Sequence, residues 1–174
     1  MGGPDEETAQ EIAEAISPLY PASTDAMNRE LVAMLVYLKA DDVLAKTIPL
    51  MNQDAAGLEE IEFDDKLLAR SGQYGRTFQN QKANNPQRQQ IWYAYALKNV
   101  AEGWNENLRK QFFSWYAKSR NFKGGASFEG FLNNFRNESL SKIQDANLRA
   151  EMDSLSKKQI ALVPEGFELS LIHI

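Results

Sequence analysis

Apolar side chains recur along this chain at steps of three and four residues, the period of a helix face, and not at the strict alternation of a half-buried strand. The spacing predicts a first helix from Asp5 to Ile16, with acidic residues in its opening turn where the helix dipole favours them. Pro18 and Pro21 stop it, because proline cannot supply the N–H that a continuing helix needs. Ser23-Thr24-Asp25 then offers N-cap oxygens. Met27, Leu31, Met34, Leu35 and Leu38 form the stripe of a second helix. Asp41 is expected to cap a third, carrying Val43, Leu44, Ile48 and Met51, which Pro49 should kink or shorten. Helices two and three, joined around Lys39-Ala40-Asp41, form an antiparallel hairpin over 18–52. Residues 53–85 lack a sustained period and read as an irregular connection with short apolar anchors such as Leu58, Phe63 and Leu67.

From Pro86 the pattern changes from aliphatic to aromatic. Pro86 suits a helix's first turn, and a helix reaching about Ala101 is apolar nearly all round, which predicts a central position. Gly103 ends it, and Asn105 caps the next helix, whose inner edge is Leu108, Phe112, Trp115 and Ser119, widened by Phe113 and Tyr116. Gly124-Gly125 breaks that helix. Ser127 is expected to cap a further one carrying Phe128, Phe131, Leu132, Phe135 and Leu140, and a last amphipathic helix spans Asp145 to Ser156. The fold class expected is all-α: stacked antiparallel helix hairpins in one domain over 1–168, since one hairpin cannot bury both faces and stacking is the logic of an α-solenoid.

Composition narrows the function classes. A hydrophobic share of 43% with a charged share of 25% is that of an ordinary globular chain, and no apolar run approaches the ~20 residues of a membrane span. The start, Met1 to Glu7, lacks the basic flank and apolar core of a secretory signal. With no cysteine there is no disulfide, thiolate site or Cys-x-x-Cys-His haem attachment within these residues. The net charge of −5 hides a split: residues 1–65 carry 15 acidic and 3 basic side chains (3 − 15 = −12), and the rest carry 9 and 16 (16 − 9 = +7). Such asymmetry can steer a charged partner. The basic half has no dense Lys/Arg run, so nucleic acid is not the expected partner.

Candidate chemistry is thin. Trp92, Trp104 and Trp115 can stack on a sugar, but rings at helical spacing serve core packing far more often; Trp104, beside Gly103, is the one expected at the surface. Asp41-Asp42 and the acidic run Glu59 to Asp65 lack the ligand spacing of a calcium loop. Gly72-Gln73-Tyr74-Gly75 and Lys123-Gly124-Gly125 lack the spacing of a phosphate loop. Ser114, Ser119 and Ser127 have no histidine partner other than His173, so no nucleophile–base pair is in view. No catalytic, metal or cofactor-binding residue is assigned. The basic set Arg109, Lys110, Lys118, Arg120 and Lys123, with Trp104, is the expected docking surface for an acidic partner or a neighbouring domain.

Two resemblances sharpen this picture. Asn28-Arg29-Glu30-Leu31 with Met34 to Leu38, and the later run Gln89 to Ala94, Gly103-Trp104, Phe113-Ser114-Trp115 and Phe122 to Phe128, resemble the HEAT-like repeats of large bacterial haem proteins. These exported multidomain chains of Planctomycetes-type and Bacteroidetes-type bacteria carry such helices just before a c-type cytochrome domain. The resemblance implies a non-catalytic scaffold or interaction module of a periplasmic or extracytoplasmic oxidoreductase, its haem c lying beyond Glu168. The alternative is a helical domain that binds carbohydrate or peptide by itself. The last six residues, Leu169 to Ile174, resemble a translated sequencing-adaptor end, which would make 169–174 a non-native tail and set aside His173, the chain's single histidine.

Overall fold

In a computed structural model of the chain, residues 3–53, 87–122 and 127–158 are described. Among them are seven α-helices, one 3-10 turn and no strand, as the helical period requires. The connection expected over 53–85, apart from Gln53, lies outside the described residues, as do Pro86, Lys123, the Gly124-Gly125 break and the tail.

Helix α1 (Glu6–Ile16) starts where Asp5 Oδ1 accepts the Thr8 N–H at 2.8 Å. It ends in the 3-10 turn Ser17–Leu19, with Pro18 in its first turn. Helix α2 (Asp25–Tyr37) is capped by Thr24 Oγ1, which accepts the Met27 N–H at 3.2 Å. Its end is a Schellman turn. Lys39 N–H reaches Val36 O at 3.2 Å and Ala40 N–H reaches Leu35 O at 2.9 Å, with Lys39 at φ 56°.

The stripe of α2 differs from expectation. Leu31, Leu35 and Leu38 are buried, but Met27 and Met34 face outward, and Asn28 and Val32 take their places. Asn28 is tolerated inside because it exchanges two bonds with Ala22, accepting its N–H at 2.6 Å and donating to its carbonyl at 3.0 Å. Asp41 does not cap α3 (Val43–Met51). The cap position falls to Asp42, whose carboxylate makes no cap bond and instead takes Ser17 Oγ–H at 2.6 Å and Lys46 Nζ at 2.8 Å. Lys46 also donates to Ser17 O at 2.7 Å, so this knot fastens the end of α1 to the start of α3. Val43, Leu44, Ile48 and Met51 are all buried, and Pro49 sits in the last turn, two residues before the helix stops.

Helix α4 (Arg88–Leu97) is shorter than the period suggested. After Leu97 the N–H groups of Asn99 and Val100 turn to carbonyls three residues back, at 3.3 and 3.0 Å, which tightens and ends the helix before Gly103. Gly103 has φ 77°, a region favourable to glycine. Asn105 Oδ1 accepts the Leu108 N–H at 2.8 Å and opens α5 (Glu106–Ser119). Phe112, Phe113, Trp115, Tyr116 and Ser119 are buried along it, as the spacing predicts. Helix α6 (Phe128–Ser141) begins without help from the Ser127 side chain, which makes no cap bond. Helix α7 (Ala146–Lys157) is capped by Asp145, whose Oδ1 accepts the Leu148 N–H at 2.7 Å.

One buried cluster runs from Ala13 to Met152. Helix α4 packs on both α2 and α3, α3 also touches α5, and α5 carries α6 and α7, which pack on each other. Gln90 joins the two halves: its Oε1 accepts Trp115 Nε1–H at 2.9 Å and its Nε2 donates to Gln53 O at 2.6 Å.

Candidate functional sites: an aromatic strip and a buried-arginine cleft

Of the expected docking set, Lys123 lies outside the described residues, and the other members divide between the two ends of α5: Trp104, Arg109 and Lys110 at its start, Lys118 and Arg120 at its end. Trp104 is half-buried, its N–H bonded to Val100 O at 3.0 Å and its ring 5.0 Å from that of Phe112. The Arg109 guanidinium lies over that ring at 5.4 Å, and burial pulls its pKa down. Lys110 is engaged by Glu106 at 2.5 Å and Glu151 at 3.6 Å. Those pairs raise Lys110's pKa and lower Glu106's, with the mutual hydrogen bond as the leading cause in each. Lys118 is partly buried further along α5. Arg120 stands at the helix's far end, where it lines a cleft. Eleven residues, about 16 Å of helix, separate Arg109 from Arg120, so these two cations stand apart.

Two other features were not anticipated. The first is a strip of rings on the surface. Trp92 and Tyr95 of α4 are 39% and 44% exposed, and Phe131 of α6 is 48% exposed. The ring contacts run from Trp92 to Tyr95 at 6.0 Å, from Tyr95 to Phe135 at 5.1 Å, and from Phe135 to Phe131 at 4.3 Å between centroids, the linking Phe135 ring itself being buried. Lys98 lies over the Tyr95 and Phe135 rings, at 4.9 and 5.3 Å, and pairs with Glu138. Trp92 and Tyr95 were expected in a central helix. They reach the surface because α4 turns Tyr93, Ala94 and Leu97 inward, and a three-residue step from Trp92 lands on Tyr95. The sequence carried the signal in that step, but not its direction.

The second feature is a cleft of about 240 Å³ between α5, α6 and α7. Phe122, Phe128 and Leu132 form its apolar wall, and Tyr116, Arg120, Arg136 and Ser156 also line it. Arg136 is 8% exposed and Tyr116 3%. Arg136 Nη2 donates to Asp153 Oδ1 at 2.9 Å and Asn137 Oδ1 at 3.1 Å, while its Nε is buried without a partner. The Tyr116 hydroxyl is likewise buried and unpartnered. Burial pushes the Tyr116 phenol well above its ordinary range, outweighing the Ser139 side chain, whose own proton goes to Phe135 O at 2.9 Å. The phenol therefore stays protonated.

Among the described residues no three His, Cys, Asp or Glu side chains converge as a metal site would require, and no helix is long and apolar enough to cross a membrane. The molecule defined by these elements is an all-helical protein with an exposed aromatic strip and a small polar-floored cleft. The chain matches no family model, no curated protein and no solved structure.

Proposed function

We propose that this chain is a non-catalytic helical interaction module, with HEAT-like stacking of its hairpins, that serves as a docking platform within a larger exported haem-containing oxidoreductase. The observation that carries the docking reading is the group of exposed rings Trp92, Tyr95 and Phe131, the last linked to Tyr95 through buried Phe135, since exposed Trp and Tyr rings are the residues that anchor protein interfaces. The flanking Lys98–Glu138 pair supplies the polar rim. The strip, in place of the dispersed basic set, is the surface offered to a neighbouring domain or partner. The oxidoreductase context rests on the resemblance of the aromatic block to helices that precede c-type cytochrome domains.

Replacing Tyr95 with a photo-crosslinking phenylalanine, in the protein as its source cells make it, tests both parts. Leu19, 61% exposed and remote in sequence from the strip, is the control position. One dominant adduct from position 95 that stains for covalent haem, with none from position 19, is the expected result. Equal adducts from both positions, or none from 95, overturn the docking surface. A dominant adduct without haem keeps the surface and overturns the oxidoreductase context.

A further inference from the structure

Helix α2 is apolar on both sides, and the fold covers only one of them. Its inner face, Leu31, Val32, Leu35 and Leu38, is buried in the core. On its outer face Met27, Met34 and Tyr37 are 52%, 46% and 65% exposed. Ala26, Glu30 and Ala33 complete that face, so only one of its exposed side chains is charged. A surface helix turns charged and polar groups to solvent, as α1 does with Glu6, Glu7, Gln10, Glu11 and Glu14. A helix that is apolar all round is one that packs on both sides.

Spacing along α2 sets the shape of what fits. Met27, Glu30, Met34 and Tyr37 follow at steps of three, four and three, the seam along which two helices interlock. Ala26 and Ala33, each just before a methionine, are small enough to let a second helix come close. The unbranched methionines adapt to the side chains they meet. Charge sets the rest. Glu30 pairs with no cation among the described residues. Arg29, the one cation within α2, is half-buried and its guanidinium donates to Gln89 Oε1 at 2.9 Å. Helix α1 packs beside α2, and Gly3, just ahead of it, lies against the Tyr37 hydroxyl with no room for a Cβ. That neighbour brings four glutamates and no base. Packed helices stand about 8–10 Å apart, on the order of one Debye length, so α1 adds to the negative potential at the seam.

We propose that the outer face of α2 docks a basic amphipathic helix of a partner protein, its apolar side against Met27, Met34 and Tyr37 and a lysine or arginine against Glu30. A second copy of this chain is the wrong occupant, because a two-fold pairing through α2 would bring two Glu30 side chains and two acidic α1 helices to one interface. An acidic helix meets the same repulsion. This seam shares no residue with the Trp92, Tyr95 and Phe131 group, so the two surfaces stand or fall separately.

The probe is a labelled synthetic peptide of about five helical turns, leucine on one face and lysine on the other, and the counter-probe carries glutamate in place of every lysine. Each is titrated against the whole chain by fluorescence anisotropy. Saturable one-to-one binding of the lysine peptide is expected, with the glutamate peptide at least about tenfold weaker. Met27→Gln combined with Met34→Gln keeps the charge and the helix propensity while removing apolar contact, and should weaken the lysine peptide about tenfold. Glu30→Gln should weaken it about threefold and flatten its salt dependence. Phe131→Gln, on the separate ring group, should leave it unchanged. If the double variant loses ellipticity, Met34→Gln alone decides. Equal affinity for the two peptides, no saturable binding, or full binding by the methionine variant overturns the proposal. A loss with Phe131→Gln as large as that with the methionine variant overturns it as well, as does a methionine-dependent dimer of the chain alone in sedimentation.

Discussion

The two halves of this molecule solve the same packing problem with different materials. From α1 to α4 the core is mainly aliphatic, built on Leu31, Val32, Leu35, Leu44 and Ile48, and most of the polar groups it encloses are matched, Gln87 Oε1 at the start of α4 being an exception. Ser17 bonds Asp42 and Lys46, Asn28 bonds Ala22 twice, Thr47 accepts from Tyr20 at 2.9 Å, and Gln90 bonds Gln53 and Trp115. From α5 to α7 the core is mainly aromatic, with Phe112 edge-on to both Phe113 and Tyr116 at 5.5 and 5.3 Å. That half leaves Tyr116 Oη and Arg136 Nε unmatched. Matched polar groups fix one arrangement of helices. Unmatched ones forgo the hydrogen bonds they would make with water.

The largest expected effect tests how far the aromatic half depends on its centre. Trp115→Ala should cost about 3–5 kcal/mol in denaturant unfolding, because it empties a fully buried site and strands Gln90 Oε1. Trp92→Ala, removing a ring 39% exposed, should cost about 1 kcal/mol or less. Similar losses for the two would erase the distinction between core ring and surface ring.

A pair of tyrosines sharpens the matched-versus-unmatched contrast. Both are buried, and burial raises both phenols above their ordinary range, but Tyr20 has Thr47 as acceptor and Tyr116 has none. Tyr20→Phe should therefore cost about 1–2 kcal/mol, whereas Tyr116→Phe should be neutral or stabilising. A comparable loss at position 116, read from unfolding curves, would mean that its hydroxyl has a structural partner after all.

The smallest effect concerns acid. Burial pushes the Asp42 carboxyl up, but the bonds from Lys46 and Ser17 outweigh it and leave the pKa below its usual value. A depressed carboxylate adds stability that is present above its unfolded pKa, about 3.9, and is lost as the pH falls through the lower folded value. The gap in unfolding midpoint between the native chain and Asp42→Asn should be constant from about pH 5 upward and close below about pH 4. A gap that instead persists in acid would assign the knot's contribution to packing. The side chain is 44% exposed, so solvent screening keeps this effect modest.

Sequence determined the local grammar of this protein. Asp5, Thr24, Asn105 and Asp145 cap the helices they precede, since a short side-chain oxygen ahead of a helical period is a property of adjacent residues. The inner edge of α5 was legible for the same reason: one period, sustained over many large rings, has a single apolar side. Tertiary structure decided everything that depends on which helix stands opposite. It turned Met27 and Met34 outward and Asn28 inward, because a partner in the Ala22 backbone lets an amide replace a thioether in the core. It took Asp42 rather than Asp41, because Ser17 and Lys46 happen to meet there. It set Arg109 and Arg120 at opposite ends of α5, and it brought rings and cleft-lining residues together from different helices. Periodicity records which side of a helix is apolar; only packing records what that side, or the opposite one, will face.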